Sequence, residues 1–237
     1  MTRLLRAAFA LAAPLMLWAC VLTPGKFVSS LTVNADRSFA FAYKGEVIAL
    51  DPGSSTKGLS DASDKKAEEG DAPKEAPKPD PTAEAEADAK NREIAAALSK
   101  EAGYKSVIYR GKGKFDIDYA VSGRLDHGFV FPFNTDAQAI FPFIAIELRQ
   151  SGTVRVRAPG FANSQDNNSA LGGVGAVGGA PGTASKYLDG VFTLDTNAEI
   201  VSQNNEDGAK TVGGRKQIVW RATPLSKDAP TAVLRLK

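Results

Sequence analysis

Leu31-Thr32-Val33-Asn34-Ala35-Asp36-Arg37-Ser38-Phe39-Ala40-Phe41-Ala42-Tyr43 is the stretch whose reading decides the fold. Leu31 and Val33, then Phe39, Phe41 and Tyr43, alternate with small or polar residues, the period of a strand with one buried face. Asn34 to Ser38 supply turn residues between the two runs. Phe27 to Leu50 therefore read as a β-hairpin. A lone hairpin is too small to be stable in water, so it needs partner strands from further along the chain.

Those partners follow from Tyr104 onward. Phe115, Ile117, Tyr119 and Val121 alternate with Asp116, Asp118, Ala120 and Ser122, and Phe129, Phe131 and Phe133 share one strand face. Phe143 to Leu148 and Thr153 to Arg157 flank the Ser151-Gly152 turn. Val191 to Leu194, Ala198 to Val201, Gln217 to Ala222 and Ala232 to Leu236 complete the set, with Asn204 to Gly208 read as a hairpin turn. Ile94, Ala95, Leu98 and Ala102 fall at helical spacing before the stop signal Gly103, which predicts a helix over 93–102 with a narrow apolar face on a sheet. The expected fold class is α+β: a mostly antiparallel β-sheet with one packed helix and a long disordered insertion.

The insertion is Asp51 to Lys90. It carries eleven acids against six lysines, five prolines and Leu59 as its one large apolar residue. Such a segment buries too little to offset the entropy of ordering, so disorder is expected. Lengthening a surface loop costs only about 0.6 kcal/mol per doubling. The organisation read from the sequence is thus residues 1–19 as a leader, 20–50 as the first hairpin, 51–90 as the insertion and 91–237 as the remainder of the same domain. Residues 162–185, rich in Gly, Ala, Asn and Ser, read as a second long loop.

The leader is read from Arg3 and Arg6, the apolar run Ala7 to Leu17 interrupted by Pro14, and small Ala19 before Cys20. That order is the one a secretory signal shows, and the run is shorter than the roughly 20 apolar residues of a membrane span. Leu17, Ala19 and Cys20 resemble a bacterial lipobox. The resemblance implies cleavage before Cys20 and lipidation of its thiol, so that the mature chain hangs from a membrane. Each buried CH₂ contributes about 0.8 kcal/mol, so two or three acyl chains anchor firmly where one does not. Val21 rather than Asp after the cysteine implies, by resemblance to lipoprotein sorting in Gram-negative bacteria, the outer membrane facing the periplasm.

Cys20 is the one cysteine and His127 the one histidine. Intramolecular disulfides and a zinc-thiolate set are excluded. A Ser-His-Asp arrangement around His127 is spatially open, but Gly-x-Ser-x-Gly is absent, and Asp126-His127-Gly128 reads as a turn or strand end. Asp116 and Asp118 share a strand face that reads as the wet side opposite Phe115 and Ile117. Gly173-Val174-Gly175-Ala176-Val177-Gly178 matches a dinucleotide fingerprint by letters alone, without the strand before and helix after that the chemistry requires. No catalytic residue, cofactor or metal is expected. The net charge of +2 gives no reason to expect nucleic acid. The mildly basic body outside 51–90 is read either as favouring an anionic membrane surface or as an ordinary solvated surface.

Five of the twelve phenylalanines, Phe129, Phe131, Phe133, Phe141 and Phe143, lie within fifteen residues. They read either as the lining of a pocket for acyl chains, since ligand sites are mostly apolar and concave, or as the core of a small sheet. Pro132 and Pro142 cannot donate to a ladder and mark sheet edges or bulges, where openings form.

The cysteine at 20, the hairpin Leu31 to Tyr43, Gly103-Tyr104 at the start of a sheet, and Ile200, Gly213-Gly214 and Ile218-Val219-Trp220 near the end resemble the LppM-like domain of bacterial lipoproteins. The resemblance leaves out 51–90 and the Gly-rich loop. It implies an envelope-facing α/β domain with lipids as ligands. The functional expectation is a membrane-anchored, non-enzymatic module binding a lipid or other apolar ligand; the alternative is an envelope structural lipoprotein that contacts another protein.

Overall fold

A computed structural model describes residues 21–50, 81–132, 142–149, 151–163 and 185–237. The expected hairpin is its spine. β1 (Val21–Val33) and β2 (Ser38–Leu50) pair antiparallel around a turn at 34–37, with Leu31 opposite Phe41 and Val33 opposite Phe39. A bulge between Pro24 and Phe27 shifts the register. There Gly45 lies under the opposing strand: a Cβ on it would sit 2.3 Å from the Lys26 carbonyl oxygen.

The remaining strands are β3 (Tyr104–Gly111), β4 (Lys114–Arg124), β5 (Phe129–Phe131), β6 (Ile144–Leu148), β7 (Thr153–Arg157), β8 (Asp189–Thr196), β9 (Glu199–Gln203), β10 (Lys210–Val212), β11 (Arg215–Ala222) and β12 (Thr231–Arg235). They form two sheets rather than the one expected. The seven-stranded sheet runs β10-β11-β8-β1-β2-β4-β3, and the five-stranded sheet β5-β6-β7-β12-β9. Every pairing is antiparallel except β1 with β8, which is parallel.

Two of the places where the chain changes sheet are corners held by side chains. At the first, the buried Thr196 hydroxyl donates to the Val33 carbonyl at 2.6 Å and accepts from the Ala198 amide at 3.0 Å, which ends β8 and turns the chain into β9. The second corner is Asn204 to Gly208. It is not the hairpin turn expected, because β9 pairs with β12 while β10 pairs with β11. Asn204 Oδ1 accepts from the Thr231 amide at 2.9 Å and the Trp220 indole at 3.2 Å, so one side chain ties the two sheets together.

Both inner faces are apolar, as their period-2 patterns require. Leu31, Phe41, Tyr43, Phe192, Leu194 and Ile218 of the larger sheet meet Phe131, Ile144, Ile146, Val154, Val156 and Leu234 of the smaller in one buried cluster. Rings connect the layers: Phe41 to Phe131 at 5.1 Å, Tyr43 to Phe143 at 5.7 Å, Phe27 to Phe161 at 4.3 Å and Phe161 to Phe192 at 5.5 Å between centroids. The opposite face of β4 is wet, as expected, with Asp116 paired to Arg110 at 2.6 Å and Asp118 to Lys44 at 3.5 Å.

The smaller sheet covers only part of the larger sheet's inner face. The helix α1 (Pro81–Leu98) covers the rest, over β3. Its first ten residues, 81–90, fall within the expected insertion, and it stops four residues short of Ala102, which is exposed. Asp88, Asn91, Ala95 and Leu98 form its sheet-facing stripe. Ala95 and Leu98 are buried among core residues, while Asp88 and Asn91 hydrogen-bond the Tyr109 hydroxyl. That hydroxyl also accepts from the Gly113 amide at 3.0 Å. After Leu98 a turn ends at Gly103, whose φ of +94° suits glycine and whose missing Cβ leaves room for the Tyr119 ring, 2.5 Å from where it would stand. No described helix is long and apolar enough to cross a membrane.

Candidate functional site

A hollow separates the turn after α1 from the edge strand β5 of the smaller sheet. Between them lies a cleft of about 380 Å³, lined by Glu101, Ala102, Tyr104, Tyr119 and His127 to Phe131. Tyr104 of β3 and Tyr119 of β4 come from the inner face of the larger sheet, where register places them opposite each other. Glu101 and Ala102 belong to the turn after α1. His127, Gly128, Phe129, Val130 and Phe131 bring in the edge strand of the smaller sheet. The volume falls within the range of small-molecule sites, about 300–1,000 Å³.

The lining is largely aromatic. Tyr104 meets Tyr119 edge-on at 4.9 Å, Tyr119 meets Phe131 at 4.5 Å, and Phe129 meets Phe41 at 5.4 Å. Burial first, and then the negative charge of Glu101, push the Tyr104 phenol well above its ordinary range. The same two causes in the same order raise Tyr119. Both phenols therefore stay neutral throughout the physiological pH range and keep their O–H donors. Glu101 is close enough to act on both, which places one carboxylate at the aromatic wall.

The five candidate phenylalanines divide. Phe129 is half-buried and lines the cleft. Phe131 is 2% exposed and serves both the cleft wall and the core. Phe143 is 1% exposed, packs on Tyr43 and Phe161, and is core rather than lining, which corrects the expectation for it. Phe133, Phe141 and the lipidation candidate Cys20 lie outside the described residues, as do residues 51–80 and the Gly-rich 164–184. His127 stands exposed at the rim, and among the described residues no three metal-ligating side chains converge. Tyr104, Tyr119 and Glu101 were not among the expected site residues. Tyr119 does continue the Phe115-Ile117 face, and Pro132, which ends edge strand β5 beside the cleft, gave the signal for an opening here.

A second hollow, about 390 Å³, lies around Lys26, Val28, Lys44, Val191 and Arg221. It opens on the solvent side of the larger sheet and is not enclosed between layers.

No protein-family model matches the chain, and no curated protein does. A solved domain does resemble it. The NMR structure of the folded domain of LppM from Mycobacterium tuberculosis aligns over 94% of this chain and 95% of its own, at 16% identity and a TM-score of 0.34. Of the residues that carry the sequence resemblance to LppM-like domains, Leu31 to Tyr43 form the β1–β2 hairpin, Gly103 ends the turn that leads into β3 at Tyr104, and Ile218 to Trp220 lie in β11.

Proposed function

We propose that the chain is a non-catalytic, lipid-anchored envelope module that takes a lipid or other apolar ligand into the cleft between α1 and β5. The observation that carries this reading is the cleft's composition: Tyr104, Tyr119, Phe129 and Phe131 wall a hollow that opens at a sheet edge. A water-filled hollow with such walls releases poorly satisfied water when an apolar group enters. The anchor in this reading is Cys20. Because β1 begins at Val21, an acylated Cys20 would set the folded body directly against the membrane, the outer membrane on its periplasmic side. A ligand would then exchange between bilayer and cleft over a short distance.

The test uses the full chain, extracted from bacterial membranes in a neutral detergent and examined by native mass spectrometry. Ala102 is exposed and lines the cleft, so Ala102→Trp fills the space without touching the core. A co-purifying adduct of lipid mass, lost in Ala102→Trp, is the expected result. An adduct-free spectrum, or one unchanged by the substitution, would overturn the reading. A protein-contact role is the second reading, favoured by β10, a three-residue edge strand that is exposed throughout and offers Val212 at 53% exposure. Unpaired edges of this kind accept a partner strand.

A further inference from the structure

Four tyrosines stand on the inner face of the larger sheet, and they differ in what their hydroxyls do. Tyr43 donates to the Glu46 carbonyl at 2.8 Å, and Tyr109 donates to Asp88. Tyr104 and Tyr119, the two that wall the cleft, have no hydrogen-bond partner among the described residues. Glu101 reaches both through its charge, without a hydrogen bond to either, and His127 of the same lining bonds neither. Tyr119 is clamped in place. Its ring meets Tyr104 edge-on at 4.9 Å and Phe131 at 4.5 Å, and its hydroxyl stands 3.1 Å from where a Cβ on Gly103 would be. Both phenols are held neutral, by burial first and then by Glu101, so both O–H donors persist across the physiological pH range.

A hydrocarbon filling the cleft would strip water from these two donors and return nothing, and a buried donor without an acceptor is costly. A carbonyl oxygen has two lone pairs, so a single one can serve both. From this we infer that the cleft takes an apolar chain bearing a neutral carbonyl, its oxygen held by Tyr104 and Tyr119 and its chain against Phe129 and Phe131. The inference rests on the apolar-ligand reading and adds the ligand's polar group to it. Acyl esters and long-chain ketones share this chemistry.

Titration calorimetry on the full chain in dodecyl maltoside, with empty-micelle blanks, tests it using 2-nonanone, methyl octanoate and nonane. Partition of each probe into micelles is the same whichever variant is present, so the ketone-to-nonane affinity ratio is compared between proteins. The Tyr104→Phe/Tyr119→Phe double variant should lower that ratio about tenfold, by weakening the ketone rather than nonane. Each single variant should lower it by less. The carbonyl stretch of isotope-labelled 2-nonanone gives an independent reading: it should lie below its frequency in hydrocarbon when bound and return toward it in the double variant. Circular dichroism melting checks that the variants are folded, and Tyr119→Phe alone carries the comparison if the double variant is not.

A ratio unchanged by the substitutions, or a bound carbonyl stretch at its hydrocarbon frequency, would overturn the inference while leaving the apolar-ligand reading intact. Failure of all three probes to bind would overturn both. With the ratio lowered as expected, tighter binding of methyl octanoate than of 2-nonanone would assign a lipid ester as the source of the carbonyl, and the reverse order a free long-chain ketone.

Discussion

The inner face of the larger sheet is closed in two different ways. Over β1, β2, β8 and β11 the smaller sheet interdigitates with it through rings, and Phe161, Phe192, Tyr43 and Phe143 are all at or below 1% exposure. Over β3 the cover is α1, which contributes Ala95 and Leu98 and is otherwise seated by polar contacts from Asp88 and Asn91 to Tyr109. A jigsaw of apolar side chains resists opening because every displacement forfeits contacts at once. Hydrogen bonds at a partly wet seat are replaced by water at small net cost. The helix is therefore the cover that can shift, and the cleft lies along its free end. The difference teaches where a ligand enters: beside the polar-seated cover, not through the ring-packed one.

Breaking the ring-packed side should cost most. Phe192 is fully buried, stacks on Trp220 at 5.5 Å and meets Phe161 at the same distance. Phe192→Ala should lower unfolding free energy in urea by about 3–5 kcal/mol, the usual cost of emptying a buried phenylalanine site. A loss of only about 1 kcal/mol would mean that the layers are loosely packed, and the contrast with the helix side would collapse.

The polar seat should respond less, and locally. Tyr109→Phe removes the hydroxyl that accepts from Asn91 and the Gly113 amide, for an expected loss of about 1–2 kcal/mol. Hydrogen exchange should accelerate across α1 and β3 while β6, β7 and β12 keep their protection. Uniform acceleration in both sheets would show that the helix and the smaller sheet open as one unit. Acid sharpens the same point. The Tyr109 hydroxyl, followed by the Lys112 amide and the charges of Arg92 and Lys112, holds the Asp88 carboxyl below its ordinary value against a smaller opposing effect of burial. A carboxyl lowered on folding stabilises fully above its unfolded value and loses that contribution as pH falls through the folded one. The protection of α1 amides, relative to intrinsic exchange at the same pH, should therefore fall below about pH 4, and Tyr109→Phe should flatten this dependence.

What the sequence discloses follows the same division. The hairpin, β4, β7, β11 and β12 are legible because each has one buried face and the period of two survives. The two-sheet arrangement is not. The corners at Thr196 and Asn204 are set by side-chain bonds to residues far away in the chain, and Asn204-Asn205-Glu206-Asp207-Gly208 has the composition of an ordinary tight turn. The start of α1 is hidden by its polar stripe: Asp88 and Asn91 read as solvated because their partner Tyr109 lies on another element. Pro81 at the first helical position and the Ala/Glu run after it were the available signals, outweighed by the acidic, proline-rich stretch before them. At the candidate site, the edge marked by Pro132 and the half-buried Phe129 are legible. Phe131 and Phe143 show why a ring cluster alone does not separate lining from core, since both uses select phenylalanine.

The smallest expected effect on stability bears directly on the seam between the two covers. Ala102 is exposed and past the end of α1, so Ala102→Trp should change unfolding free energy by less than about 0.5 kcal/mol, as surface substitutions usually do. Its expected consequence is in exchange instead. An indole in the cleft would bridge the α1 turn and β5, tying the loose cover to the fixed one, and amides at the C-terminal end of α1 should become more protected. Slower exchange there with an unchanged urea midpoint would mean that the cleft closes by movement of the helix end. Unchanged exchange would mean that the gap is held open by the rigid placement of Tyr119 and Phe131 on the two sheets. The ligand would then enter a preformed slot, and α1 would serve only as its wall.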